Sequence, residues 1–159
     1  MIQLLSSFGI VLVVILDQLS KRIVENSMNY FQRIDILGKI LGFRYVHNRG
    51  VAFGMFSGVE GILIASISTT IIIGLLIFGV IFKNRLSKIE QFFFGMIIGG
   101  ALGNLIDRLR LGYVVDFIEL PYWPVFNVAD TSIVLGTILL LFLYYRREHS
   151  ARRTDCNQS

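Results

Sequence analysis

Residues 61–82 read GILIASISTTIIIGLLIFGVIF, twenty-two residues without a charge. A helix needs about 20 apolar residues to cross the hydrocarbon core of a bilayer, so this stretch predicts a membrane span and decides the fold class. The rest of the chain agrees. Of its 159 residues, 54% are hydrophobic and 16% charged, where a soluble domain carries roughly 25% charge; the mean hydropathy is +0.67. That length suits about one domain, and several spans leave little chain for a separate soluble one. Composition thus excludes a water-soluble enzyme and a disordered binder, and the single cysteine, Cys156, excludes a disulfide scaffold. The net charge of +4 comes with fifteen Lys and Arg spread between apolar stretches rather than gathered on one face. That pattern excludes nucleic acid as a partner.

Three other apolar runs stop at an acidic residue: 1–16 before Asp17, 91–106 before Asp107, and 131–145 after Asp130. Each reaches about 20 residues only by continuing through its Asp. The prediction is an all-α membrane protein with four transmembrane helices, at about 3–22, 61–82, 90–108 and 128–146, forming one domain over 1–146. The first run lacks a basic n-region and a small-x-small cleavage site, so it reads as a permanent span and not a signal peptide. Residues 28–58 then lie on the side opposite both termini, and 147–159 form a basic, disordered tail without a chemical role. Charge numbers do not orient the bundle, since seven Lys and Arg fall in 83–90 and the tail and eight in 21–60 and 108–125. The clusters directly beside helix ends, Lys83/Arg85/Lys88 and Arg146/Arg147, favour a cytoplasmic tail.

Connectivity brings the acidic residues together. With both termini on one side, Asp17 lies toward the far end of the first span, Asn104 and Asp107 toward the far end of the third, and Asp130 near the start of the fourth. Asp116 sits in the connector 109–125 on that same side. An ionised side chain costs about 2.5–3.5 kcal/mol on insertion scales, so such residues pair, line a wet cavity or serve function. Asp17 with Lys21 is an i,i+4 pair; Asp107 has Arg108 beside it; Asp130 is followed by fifteen uncharged residues. Capping at the headgroups remains an alternative for each.

The residue inventory narrows the chemistry. The two histidines are His47 and His149, without a His-Glu-x-x-His helix or a Cys/His cluster, so no metal is expected. His47 reads as a backbone or water contact. No Gly-x-Ser-x-Gly elbow points to a serine nucleophile. A carboxylate pair sharing one proton remains, which needs neither metal nor cofactor. Asn48, Asn104 and Asn127 fall in the same region, and the spacing Asn-x-x-Asp recurs at 104/107 and 127/130. Depth alone leaves both Asp107 and Asp116 open as partner of Asp130. A proton relay through a small transporter and a lipid-binding scaffold are the rival classes; a relay needs polar groups through the full membrane depth, whereas here they collect at one end.

Five blocks occur in order: Asp17-Gln18-Leu19-Ser20-Lys21; His47-Asn48-Arg49-Gly50-Val51-Ala52-Phe53-Gly54; Gly99-Gly100-Ala101-Leu102-Gly103-Asn104-Leu105-Ile106-Asp107-Arg108; Val114-Val115-Asp116-Phe117; and Phe126-Asn127-Val128-Ala129-Asp130. Together, over about residues 10–145, they resemble the lipoprotein (type II) signal peptidases of bacteria. The resemblance implies an intramembrane aspartyl endopeptidase of the bacterial cytoplasmic membrane, with four transmembrane helices, a small extracytoplasmic β-cradle and the active site toward the extracytoplasmic face. It implies a prolipoprotein substrate whose lipobox cysteine already carries a diacylglyceryl group, cut just before that cysteine. It assigns catalysis to Asp116 and Asp130, and makes Asp17, Lys21, Asn48, Arg49, Asn104, Asp107, Arg108 and Asn127 a supporting polar shell. The choice of Asp116 over Asp107 comes from the resemblance. Membrane phospholipid is the expected surrounding partner, with Lys21 and Arg49 either meeting its phosphates or supporting the site, and the chain is expected to be a monomer.

Three stretches fit this picture. Residues 38–56 mix aromatic, β-branched and glycine residues as short strands at the membrane surface would. Leu120-Pro121-Tyr122-Trp123-Pro124 reads as an interfacial aromatic anchor. Gly95, Gly99, Gly100 and Gly103 have the spacing of close helix contact.

Overall fold

The first helix, α1 (Ile2–Ser27), buries Asp17 and Lys21 on its inner side. In this computed structural model, which describes residues 2–50, 61–82 and 85–156, Val13, Asp17, Lys21, Val24 and Met28 form one buried stripe at intervals of three or four. Phe8, Val11, Ile15, Leu19 and Ile23 are at least half exposed. Such an inversion is stable in a hydrocarbon solvent, where an exposed Ile is at home and an unpaired charge is expensive.

Among the described residues, four helices are long and apolar enough to cross a membrane: α1, α2 (Gly61–Phe82), α3 (Lys88–Leu111) and α4 (Val128–Cys156). The central one is α3, which contacts the other three. Its glycines allow this. Gly95 and Gly99 lie against the backbone of Ser6 and Ile10 in α1, and a methyl at Gly99 would stand 2.8 Å from the Ile10 carbonyl oxygen. On a neighbouring face Gly100 abuts the carbonyl of Ala129 in α4. The glycine spacing is therefore a packing seam, as expected of small residues between membrane helices. The uncharged α2 packs on α3 through Ala65 and Ile72 against Leu105.

Both ends of α3 are capped. The Ser87 hydroxyl accepts from the Glu90 N–H, the Glu90 carboxylate accepts from the Ser87 N–H, and Gly112, at φ 77°, closes the other end with its N–H on Arg108 O. At the first end the buried Glu90 also meets Arg147 of α4, at 2.8 Å. The helix α4 continues through Cys156, so the stretch from 147 to 156, expected as a disordered tail, prolongs the helix. No Gly or Pro lies between Gly136 and Cys156 to stop it, and Arg147 ties it to Glu90 and to the Arg85 carbonyl.

At the far end, β1 (Arg33–Leu37), β2 (Leu41–Asn48) and β3 (Val114–Glu119) form an antiparallel sheet in that order. Gly38, at φ 53°, supplies the left-handed position in the β1–β2 turn. Strand alternation divides the sheet. Tyr45, Val115 and Phe117 pack on Val24 and Met28 at the end of α1. The opposite face carries Val46, Asn48, Val114 and Asp116, paired as Val46 with Asp116 and Asn48 with Val114. The strands thus begin before the expected 38–56 and include β3, which the sequence reading treated as connector. Residues 51–56 of the expected strands, with Val51, Ala52, Phe53 and Gly54 of the second sequence block, lie outside the described residues.

Candidate active site

The four acids at the far end of the bundle separate into two groups. Asp17 and Asp107 close on Lys21 from two helices, at 2.8 and 2.9 Å, with all three side chains fully buried. The third ammonium hydrogen goes to Asn104 Oδ1, at 3.0 Å. Both carboxylates make further contacts. Asp17 Oδ1 accepts from the Ala129 N–H at the start of α4 (2.9 Å), Asp107 Oδ2 from the Val115 N–H of β3 (3.1 Å), and Asp107 Oδ1 from Gln18 Nε2 (2.9 Å). This triplet joins α1, α3, α4 and β3. It corrects the sequence reading at Asp107, whose partner is Lys21 and not the adjacent Arg108, because residues i and i+1 on a helix do not face each other. Lys21 is fully buried among these partners and sealed from lipid phosphate.

The second group is Asp116 and Asp130. Asp116 Oδ1 accepts from Asn127 Nδ2 (2.7 Å) and its Oδ2 from Asn48 Nδ2 (2.8 Å). Asp130 Oδ1 accepts from Asn104 Nδ2, at 2.8 Å. Asn127 opens α4: its Oδ1 accepts the Asp130 N–H at 2.8 Å, while Asp130 Oδ2 accepts the Asn127 N–H at 3.4 Å. The recurrent Asn-x-x-Asp is thus a reciprocal helix cap at 127/130, and its Asn also reaches Asp116. Capping and site support are the same contact. At 104/107 the spacing instead brings both side chains to Lys21.

Asp116 and Asp130 line one cavity of about 450 Å³, together with Asn48, Asn104 and Arg108. Its apolar wall includes Ile71 of α2, Ile133 and Val134 of α4, and Trp123. Trp123, expected as an anchor, is both half exposed and part of this wall. Burial, and after it the charge of Asp130, hold the Asp116 carboxyl up at about 7 from 3.8, against the hydrogen bonds from Asn48 and Asn127. A carboxyl so placed holds its proton to a far higher pH than a solvated one.

Family models give the same direction: the profile described as signal peptidase (SPase) II matches residues 9–146. The chain belongs to the signal peptidase II family. A lipoprotein signal peptidase of Halothermothrix orenii is 42% identical over 139 residues, covering 87% of this chain and 94% of the relative. One from Brucella ovis is 41% identical over 151 residues, covering 90% and 92%. A bacterial membrane enzyme structure obtained by the in meso method at 2.3 Å resolution superposes with a TM-score of 0.79 at 32% identity, over 89% of this chain and 87% of that one.

Within this family member, nine of the ten expected residues are buried or partly buried; Arg49, just after β2, alone is exposed. Arg108 sends its guanidinium to the Gly50 and Asn104 carbonyls, at 3.3 and 3.4 Å, from the cavity wall. Gln18, given no role by sequence reasoning, is bonded to Asp107; its place one residue after Asp17 was the available signal. His47 contacts side chains where backbone or water was expected. It lies 2.9 Å from the Tyr45 hydroxyl and stacks on Tyr113 at 3.8 Å between ring centres, because it points to the face opposite Asn48. Burial, and then the charge of Arg49, lower its pKa. Along α2, Thr69 and Thr70 bond to their own helix at Ala65 O and Ser66 O, which weakens the relay alternative.

Proposed function

We propose that Asp116 and Asp130 are the catalytic carboxylates of this protease, whose family cleaves signal peptides from prolipoproteins. The observation that carries this is the shared cavity: two carboxyls open onto it, whereas Asp17 and Asp107 are closed around Lys21. One carboxyl, ionised, takes a proton from a water as its oxygen attacks the scissile carbonyl carbon. The other, protonated, gives its proton to the carbonyl oxygen. When the carbon–nitrogen bond breaks, the first carboxyl gives its proton to the departing amine nitrogen, while a hydroxyl of the tetrahedral diol returns its proton to the second as the carbonyl reforms, leaving one carboxyl ionised and one protonated as at the start.

The substrate is read as a precursor with a diacylglyceryl-modified cysteine, cut just before that residue. Support comes from the mixed wall of the cavity, polar at the carboxyls and apolar along α2 and α4, which suits a peptide bond held next to hydrocarbon. Asn48 and Asn104 stand where amides can also meet a peptide backbone. The pair would act at the extracytoplasmic face of the cytoplasmic membrane, in one domain over 1–146 surrounded by phospholipid, with a monomer sufficient because both carboxyls come from one chain. Incubating the purified protein with a diacylglyceryl-modified precursor should release a shortened product whose first residue is the lipidated cysteine. An unmodified precursor processed equally well would remove the lipid from the reading, and retained turnover in Asp116→Asn would sink the pair.

A further inference from the structure

The two carboxyls stand in unequal surroundings. Asp116 lies on a strand between Val115 and Phe117 and is 2% exposed. Asp130 is partly exposed and sits in the first turn of α4, where the helix dipole favours negative charge. Its Oδ1 takes the amide N–H of Asn104 at 2.8 Å. The other end of that amide is held by the Lys21 ammonium, at 3.0 Å. A cation on an amide oxygen draws electron density from the nitrogen and strengthens the bond its N–H donates, the cooperativity of hydrogen-bond chains in a low-dielectric interior.

We propose that Lys21 is a positioning residue for the reaction: acting through Asn104, it keeps Asp130 ionised, so that the proton shared by the pair rests on Asp116. The inference rests on the reading of Asp116 and Asp130 as catalytic. Asp130 is then the base that accepts the proton of the attacking water, and Asp116 the acid that protonates the scissile carbonyl oxygen. Among the described residues, the charged groups facing the pair are Asp17 and Lys21 of α1 and Asp107 and Arg108 of α3; β2 presents the neutral Asn48, and α2 presents Ser68. Asp17 and Asp107 are occupied by Lys21, Gln18 and backbone N–H groups. Arg108 faces both carboxyls from the wall of the same cavity. The carboxyl of Asp116, held up at about 7, agrees with a proton that rests there.

Two measurements on the full chain test this. In infrared difference spectra of the detergent-solubilised enzyme, a protonated carboxyl band should titrate away near pH 7, as the value of about 7 for Asp116 requires, and be missing from Asp116→Asn. In Lys21→Met, the acid limb of the pH profile of kcat on a lipid-modified precursor should move up by about half a pH unit or more. A purely structural loss would lower kcat at every pH and leave the limb in place. Should Lys21→Met not fold, Lys21→Met/Asp107→Asn, which restores the buried charge balance, is read the same way. An unmoved acid limb, or a band that survives Asp116→Asn and disappears in Asp130→Asn, overturns the inference. Undiminished turnover in both Asp→Asn variants overturns the pair itself.

Discussion

Asp17 with Asp107, and Asp116 with Asp130, are two pairs of the same side chain at one end of one bundle, and they differ in what surrounds them. The first pair is fully buried and shares one ammonium; its other contacts are backbone N–H groups and an amide. The second is bonded to Asn side chains and opens onto a cavity of about 450 Å³. A carboxylate whose lone pairs are taken by a cation holds helices together. One held by neutral amides next to free space keeps its capacity to exchange a proton.

The largest effects should break this comparison if it is wrong. Asp116→Asn and Asp130→Asn are each expected to lower kcat by about 10²–10⁴-fold while the melting temperature in detergent is kept; a collapse of the fold would make the second pair structural like the first. Conversely Asp107→Leu, which strips Lys21 of one of its carboxylates, should cost about 3–5 kcal/mol in chemical unfolding. A fold that tolerates it at little cost would deny the triplet its role.

Two glycine variants sharpen the contrast at about 1–3 kcal/mol of overpacking each. A methyl at Gly103 would come within 2.5 Å of Asp17 Oδ2, while one at Gly100 would press on the Ala129 backbone, next to Asp130. Gly103→Ala is expected to show mainly in stability and Gly100→Ala in kcat, and equal splits would mean that the two pairs move as one.

A smaller effect is the pH dependence of stability. The Asp116 carboxyl is held up at about 7 from 3.8, so the folded chain keeps a proton that the unfolded chain releases between those values. The contribution of this group is full below 3.8 and is lost as pH rises through about 7. Asp116→Asn lacks that decline, so the stability difference should move in favour of the variant across this window. A flat difference in paired unfolding curves would contradict the raised carboxyl. The smallest expectation is no effect: EDTA should leave cleavage unchanged, and a chelator-sensitive rate would call for a metal in the reaction.

Much of this was legible beforehand. The uncharged run 61–82 coincides with α2, and the inward stripe of α1 could be drawn from Asp17 and Lys21 at i,i+4. The strand β3 was missed, although Val114-Val115-Asp116-Phe117-Ile118 between Gly112 and Pro121 has the β-branched and aromatic content of a strand; its shortness and its position between two spans hid it. The partner of Asp107 was not legible, since three acids at one depth present equivalent candidates until the rotation of each helix is known.

The sequence by itself determined that the chain lives in a membrane, how many helices cross it and that its acids gather at one end. Hydropathy is a local property, and each span must reverse the direction of the one before it. Only the tertiary structure decided which acid meets Lys21 and which faces the cavity. That depends on how far α1 and α4 approach α3 across the glycine seam and on the register that sets Asp116 opposite Val46 and on the face of Asn48. Both are contacts between residues far apart in the chain, so no stretch read alone contains them.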